Sequence, residues 1–133
     1  MTYQQLVSTD SLSFTVPQKI NANFRAARYL NTSTLTADFT AWTNDAPGDV
    51  KDVYLVTTAA SAITATMPSA SSTMALAGRT VTVLKIDGGA GAVTVDGESA
   101  QTINGAATVS LASQYKYVTM ISDGANWVII GSN

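Results

Sequence analysis

From about residue 51 to the C-terminus the chain is written in a two-residue period, and that period limits what it can become. Ile63, Ala65 and Met67 alternate with Ala62, Thr64 and Thr66. Val93 and Val95 flank Thr94, and Ala107, Val109 and Leu111 alternate with Thr108 and Ser110. Successive side chains of an extended chain point to opposite faces, so each run has one apolar face and one hydroxyl-bearing face. Between the runs stand Asp87-Gly88, Asp96-Gly97, Asn104-Gly105 and Asp123-Gly124, pairs that favour tight hairpin turns because both residues tolerate a left-handed backbone. The spacing predicts about eight short strands, over 53–57, 62–67, 79–86, 92–96, 101–104, 107–111, 115–121 and 126–130. Evenly spaced strands with turn signals predict a mainly β protein, an antiparallel β-sandwich or barrel-like domain. No internal repeat is strong enough to predict a solenoid.

Three runs break the alternation. In "RTVTVLKI" Val81 and Val83 point one way and Leu84 and Ile86 the other. In "YKYVTMI" Tyr115 and Tyr117 oppose Val118 and Met120. In the closing "SDGANWVII" Trp127 and Ile129 oppose Val128 and Ile130. A strand that is apolar on both faces has to be covered on both. Two covers are open for the last run: a central position in the domain's own core, or contact with another copy of the chain.

The first 31 residues read differently, as an arm with one short helix. Pro17 suits a first helical position, where a missing N–H costs nothing. Val16, Ile20, Phe24, Ala27 and Leu30 then recur at spacings of three and four, one helical face, with Lys19, Arg25 and Arg28 mostly on the other side. So short a stripe is not a stable lone helix in water. It either packs on its own domain or docks on a partner, or bundles with sister copies. Residues 32–50 read as a linker, rich in small polar residues and containing Pro47-Gly48. Phe39 and Trp42 are out of keeping with a free linker and are expected to pin it to a surface, its own or a neighbour's. The expected organisation is an arm over 1–31, a linker over 32–50 and a β-sandwich knob over 51–133.

Composition narrows the chemistry. Charged residues make up 12% of the chain, the net charge is −2, and the seven basic residues are scattered. Phosphate binding needs clustered Lys and Arg, so nucleic acid is not an expected partner. There is no Cys and no His. Disulfides, thiolate metal sites and Ser-His-acid triads are therefore excluded. No apolar run approaches the roughly 20 residues of a membrane span, and the N-terminal "MTYQQLVSTDSLSF" lacks the pattern of a secretory signal. The stretch "IDGGAGAVTVDG" fails as a dinucleotide fingerprint, because Thr94 stands where the third glycine belongs, and as a calcium repeat, because Val93 replaces the aspartate. Glycines in a hairpin are the better reading. Asp96 and Glu98 are the nearest approach to a carboxylate pair, but Asp96-Gly97 reads as a turn. No catalytic residue, cofactor or metal is expected, and the chain is expected not to be an enzyme. Tyr54, Tyr115, Tyr117, Trp42 and Trp127 could stack on sugars where exposed, or serve as core and interface aromatics.

The stretch from "YLVTTAASAITATMPSAS" through "GRTVTVLKID", "AVTVDG" and "TING" to "YVTMISDGANWVIIG" resembles the β-module found at the ends of many bacteriophage tail fibres and related virion proteins. The likeness covers residues 54–131 and rests on the order and spacing of these segments. "VPQKINANF" is similar to a segment near the N-termini of phage fibre and spike proteins, where such segments serve in attachment. The resemblance implies a homotrimer on the virion surface with closely apposed β-domains, bound to other virion proteins of tail, neck or capsid and contacting host surface glycans, or a capsid decoration protein. A glycan-degrading module is a third class. On this reading Val16, Ile20, Phe24 and Leu30 are anchoring residues, and Tyr115, Tyr117, Trp127 and Ile129 are subunit-interface or ligand-contact residues.

Overall fold

The computed structural model describes residues 30–42, 51–72 and 77–133. The helical stripe with Val16, Ile20 and Phe24, and the Pro47-Gly48 part of the expected linker, lie outside the described residues. Residues Asn31–Asn133 form a compact unit. Among the described residues there are nine strands and no helix: β1 (Thr32–Leu35), β2 (Phe39–Thr40), β3 (Val53–Val56), β4 (Ile63–Thr66), β5 (Thr80–Lys85), β6 (Val93–Asp96), β7 (Thr108–Leu111), β8 (Tyr117–Ser122) and β9 (Trp127–Ser132). They form two sheets, a five-stranded one in the order β1-β3-β5-β8-β9 and a four-stranded one in the order β2-β4-β6-β7. The architecture is sandwich-like and mainly β, and it does not close into a barrel.

The expectation of an antiparallel domain needs correction. The first six strands alternate between the sheets, and within each sheet they pair in parallel: β1 with β3, β3 with β5, β2 with β4 and β4 with β6. Only β5–β8, β8–β9 and β6–β7 are antiparallel. Parallel neighbours need a crossover connection, usually a helix; here a strand of the opposite sheet does that work. The chain thus winds a flattened coil from β1 to β6. Thr32, Val53 and Thr82 stand in one register row, and Phe39, Ala65 and Val95 in another. The intervals along each row are unequal, which is why no sequence repeat betrays the coil. Period-two patterning cannot distinguish the two pairings, because a half-buried strand alternates in either.

The turn dipeptides divide accordingly. Asn104 (φ 51°) and Gly105 (φ 82°) form the expected tight turn, closed by mutual backbone hydrogen bonds between Ile103 and Ala106. Asp123-Gly124 joins β8 to β9, with the Asp123 carboxylate accepting from the Ala125 and Asn126 amides. Asp87-Gly88, by contrast, begins an arch from one sheet to the other, not a hairpin. That arch stacks on the one between β3 and β4. A Cβ on Gly89 would overlap the Ala59 carbonyl oxygen, and one on Gly91 would overlap the Ser61 carbonyl oxygen. These glycines permit two backbones to touch, their role at any close approach. The run 101–104 is not a strand; Ile103 makes only isolated bridges to Ala106 and Trp127.

The inward-facing positions build one core: Tyr54, Val56, Val81, Val83, Val118, Met120 and Trp127 from the first sheet, with Ile63, Ala65, Val93, Val95 and Leu111 from the second. Residues 32–42, expected as the start of a linker, belong to this body. β1 offers only Leu35 and β2 only Phe39 to the core, too little apolar content to announce a strand. Phe39 stacks on Tyr54 with ring centroids 4.9 Å apart. Trp42 is buried, donates from Nε1 to the Lys51 carbonyl at 2.7 Å, and meets Trp127 edge-on at 5.9 Å. The Arg79 guanidinium lies over the Trp42 ring at 5.4 Å. The two aromatics do pin their segment, and the surface they pin it to is the protein's own core.

Arch stacking makes the glycines unequal. Gly89→Ala and Gly91→Ala should each destabilise the protein by about 1–3 kcal/mol, the usual cost of forced overpacking. Gly88→Ala, whose Cβ would meet only Gln114 Oε1 at 3.6 Å, should change stability by less than about 0.5 kcal/mol. Chemical denaturation of the three variants checks the ranking.

Candidate interaction surface

The two sheets turn chemically different faces outward. On the five-stranded sheet the outward rows run across the strands as Thr34–Leu55–Leu84–Tyr117, as Thr32–Val53–Thr82–Thr119–Gly131, and as Thr80–Ile121–Val128. No position in these rows is charged. Thr82 and Thr119 satisfy each other through a 2.8 Å hydroxyl contact, and the Tyr117 ring lies beside Gly131. A β-bulge where Thr119 pairs Gly131 and Met120 pairs Ile129 leaves Ile130 as the extra residue. Ile130 is 57% exposed and Val128 38%. Bulges re-aim side chains at sheet margins, and this one presents Ile130 on the apolar face.

The four-stranded sheet presents hydroxyls instead. Its outward rows are Thr64–Thr94–Ser110 and Thr40–Thr66–Asp96–Thr108. Asp96, half of the carboxylate pair considered from sequence, therefore stands within a threonine row, while Glu98 accepts from the neighbouring Ser99 hydroxyl at 2.9 Å.

The residues singled out from sequence fall into separate environments. Leu30 is 69% exposed. Tyr115 is 62% exposed with φ 63°; its amide donates to the Lys85 carbonyl and its carbonyl accepts from Asn133 Nδ2. Tyr117 is half-buried in the apolar face. Trp127 is removed from the contact candidates. It is fully buried, and its Nε1 donates to the Pro68 carbonyl at 3.1 Å, so the indole's polar end is satisfied inside the core as a buried indole requires. Ile129 shares its inward face and packs against the core. The closing strand thus has its inner cover from its own domain, while the exposed half is Val128 and Ile130. As surface positions Val53, Leu55, Leu84, Val128 and Ile130 were missed; the doubly apolar reading of "VLKI" and "WVII" was the available signal.

A second unexpected feature is Lys85. It occupies an inward position of β5 with no exposed side-chain surface, and its ammonium reaches Asp87 Oδ1 at 2.8 Å and the Thr58 hydroxyl. Asp87 also accepts from the backbone amides of Thr58, Ala59 and Gly89. The hydrogen bond from Lys85, followed by that from the Thr58 amide, holds the Asp87 carboxyl far below the usual carboxylate range. These bonds tie the β3–β4 arch, through Thr58 and Ala59, to the β5–β6 arch, through Asp87 and Gly89. Among the described residues no group of three or more metal-ligating side chains forms a metal site. The outer face of the five-stranded sheet is uncharged and mixes threonines with Val53, Leu55, Leu84, Ile121, Val128 and Ile130.

Comparison with protein-family models and with curated proteins returns no match.

The Asp87 cage sets a pH dependence. A carboxyl whose folded pKa is depressed adds stability that is present above the unfolded value, about 3.9, and lost as the pH falls through the folded one. Wild-type stability should therefore decline progressively below about pH 4. Asp87→Asn should be less stable at neutral pH, because it strands a buried ammonium, and the gap between the two proteins should narrow as the pH is lowered. Thermal melts from pH 7 to pH 2 measure that gap.

Proposed function

We propose that the protein is a non-enzymatic structural component of a bacteriophage particle. It is a homotrimeric short fibre or knob on the virion surface, anchored through its N-terminal arm and projecting the β-domain toward the host surface. The observation that carries the reading is the uncharged outer face of the five-stranded sheet. It is built by β3, β5, β8 and β9, and these strands contain the "YLV", "TVTVLK", "YVTMIS" and "WVII" segments that carry the likeness to fibre modules. An apolar face of this extent invites burial, and fully burying a Leu, Ile or Val side chain is worth about 1.5–3 kcal/mol. A face without charge can also meet itself around a symmetry axis without like-charge repulsion. Tyr115 is the exposed aromatic available for a host glycan, and Leu30 belongs to the anchor stripe.

Three measurements test this. Sedimentation at micromolar concentration should give a mass that is the trimer or a multiple of it, and Leu84→Glu with Ile130→Glu should abolish the threefold association in a folded protein, since both side chains lie on the outer face. A compact wild-type monomer refutes the trimer. Removing residues 1–31 should abolish incorporation into particles. Isolated trimers should bind host cells; absence of such binding, together with capsids that lose stability without the protein, would favour a decoration role instead.

A further inference from the structure

The last strand of the four-stranded sheet leaves its backbone open. The Gly97 amide donates to the Ala107 carbonyl, residues that stand directly opposite in the β6–β7 register. In an antiparallel ladder, hydrogen-bonded and non-hydrogen-bonded pairs alternate. Val95–Val109 and Val93–Leu111 are therefore bonded pairs, and Thr94–Ser110 and Asp96–Thr108 are not. The other side of β6 agrees: the Ala92 and Asp96 carbonyls turn away from β7 to accept from Ile63 and Met67 in the β4 segment. The N–H and C=O groups of Thr108 and Ser110 thus point out of the sheet edge. No described loop residue hydrogen-bonds to them, and both residues are exposed.

Natural sheets guard such edges with lysine, proline, bulges or a covering segment. The edge of β9 is guarded: Trp127 exchanges backbone bonds with Thr102 and Asn104, and the Ile129 amide donates to Asn104 Oδ1 at 2.8 Å. Among the described residues β7 has no such guard. Its register with β6 is regular, and the chain carries no charged residue or proline between Glu98 and Lys116.

We infer that β7 pairs edge-to-edge, antiparallel, with β7 of a second copy of this chain, joining two four-stranded sheets into one. The occupant follows from the register. With a two-fold axis through Val109, Thr108 of each copy stands opposite Ser110 of the other. These are the residues whose bonding groups face outward, so both pairs are bonded pairs, giving about four backbone hydrogen bonds at two per pair. Directly opposite side chains share a face. Thr108 therefore meets Ser110 on the hydroxyl face, and Val109 meets Val109 on the core face, with no like charges opposed. A register shifted by one residue would place the outward groups opposite inward ones. The contact is distinct from the apolar face of the other sheet and holds whether the unit being joined is a monomer or a trimer.

Proline is tolerated at an edge where its missing N–H faced solvent, so Ser110→Pro should keep the β6 ladder while blocking the new one. The assembly mass of the full chain, by sedimentation, should fall by half in Ser110→Pro, and Ser110→Thr should retain the wild-type mass. Val109→Pro, which removes an internal ladder bond, should instead lower the melting temperature. In the wild type, the Thr108 and Ser110 amides should exchange with deuterium slowly at assembly concentrations and faster on dilution. A folded Ser110→Pro variant of wild-type mass, or fast exchange of these two amides at every concentration, overturns the inference. Loss of the trimer with retention of the twofold mass change would overturn the proposed fibre reading and leave this contact standing.

Discussion

The ammonium of Lys85 lies inside the coil with no exposed side-chain surface, and the stacking of the arches depends on how it is neutralised. Burying a charge is tolerable only when a counter-charge and hydrogen bonds replace the lost water. Asp87 supplies the counter-charge from two residues further along, where the β5–β6 arch begins. The Asp87 carboxylate then recruits the Thr58, Ala59 and Gly89 amides, and these amides belong to both arches. A single ion pair therefore fixes the separation of the β3–β4 and β5–β6 crossings, one turn of the coil apart. It also accounts for the glycines nearby: with Asp87 held this close to residues 58 and 59, the following chain passes against the Ala59 and Ser61 carbonyls, where only a hydrogen in place of a Cβ fits.

How much of this could be read from sequence depends on what the period-two signal encodes. It encodes burial, so β3 to β9 fall within a few residues of the predicted runs, apart from 101–104, where Ile103 is buried by a turn and not by a ladder. It does not encode direction. "IDGG" looks like hairpin chemistry, yet the glycines there serve arch contact, whereas "NG" at 104–105 has the two positive φ values a tight turn demands. β1 and β2 were hidden because a short strand at the margin of the core contributes one inward apolar residue and hydroxyls elsewhere. Lys85 was hidden for the opposite reason: its type suggests solvent, and only the nearby carboxylate makes its inward position tolerable.

The surface candidates show the same limit from another side. Double apolarity correctly marks β5, β8 and β9 as strands with two demanding faces, but it does not say which face belongs to the core. Trp127 is the largest apolar side chain of its strand and draws attention first. A large aromatic with a donor is nevertheless well placed inside when a carbonyl such as that of Pro68 is within reach. The residues left outside, Val128 and Ile130, are the plainer ones.

The placement of charge connects the two proposed contacts. A chain with few charges could scatter them evenly, and that would make every surface weakly repellent to a second copy. Here the outward rows of the five-stranded sheet contain none, and the outward rows of the other sheet contain Asp96 alone, one strand in from the β7 edge. Lys85 and Asp87 cancel inside an arch, and Asp123 is occupied with the β8–β9 turn. With acidic side chains placed in turns and an internal ion pair, the outer face of the five-stranded sheet and, among the described residues, the β7 edge carry no charge. Soluble monomers ordinarily arrange the reverse, with charge on sheet faces and edges to keep copies apart. The two proposed contacts would cover this surface in two different ways: side-chain burial on one sheet and backbone pairing on the other.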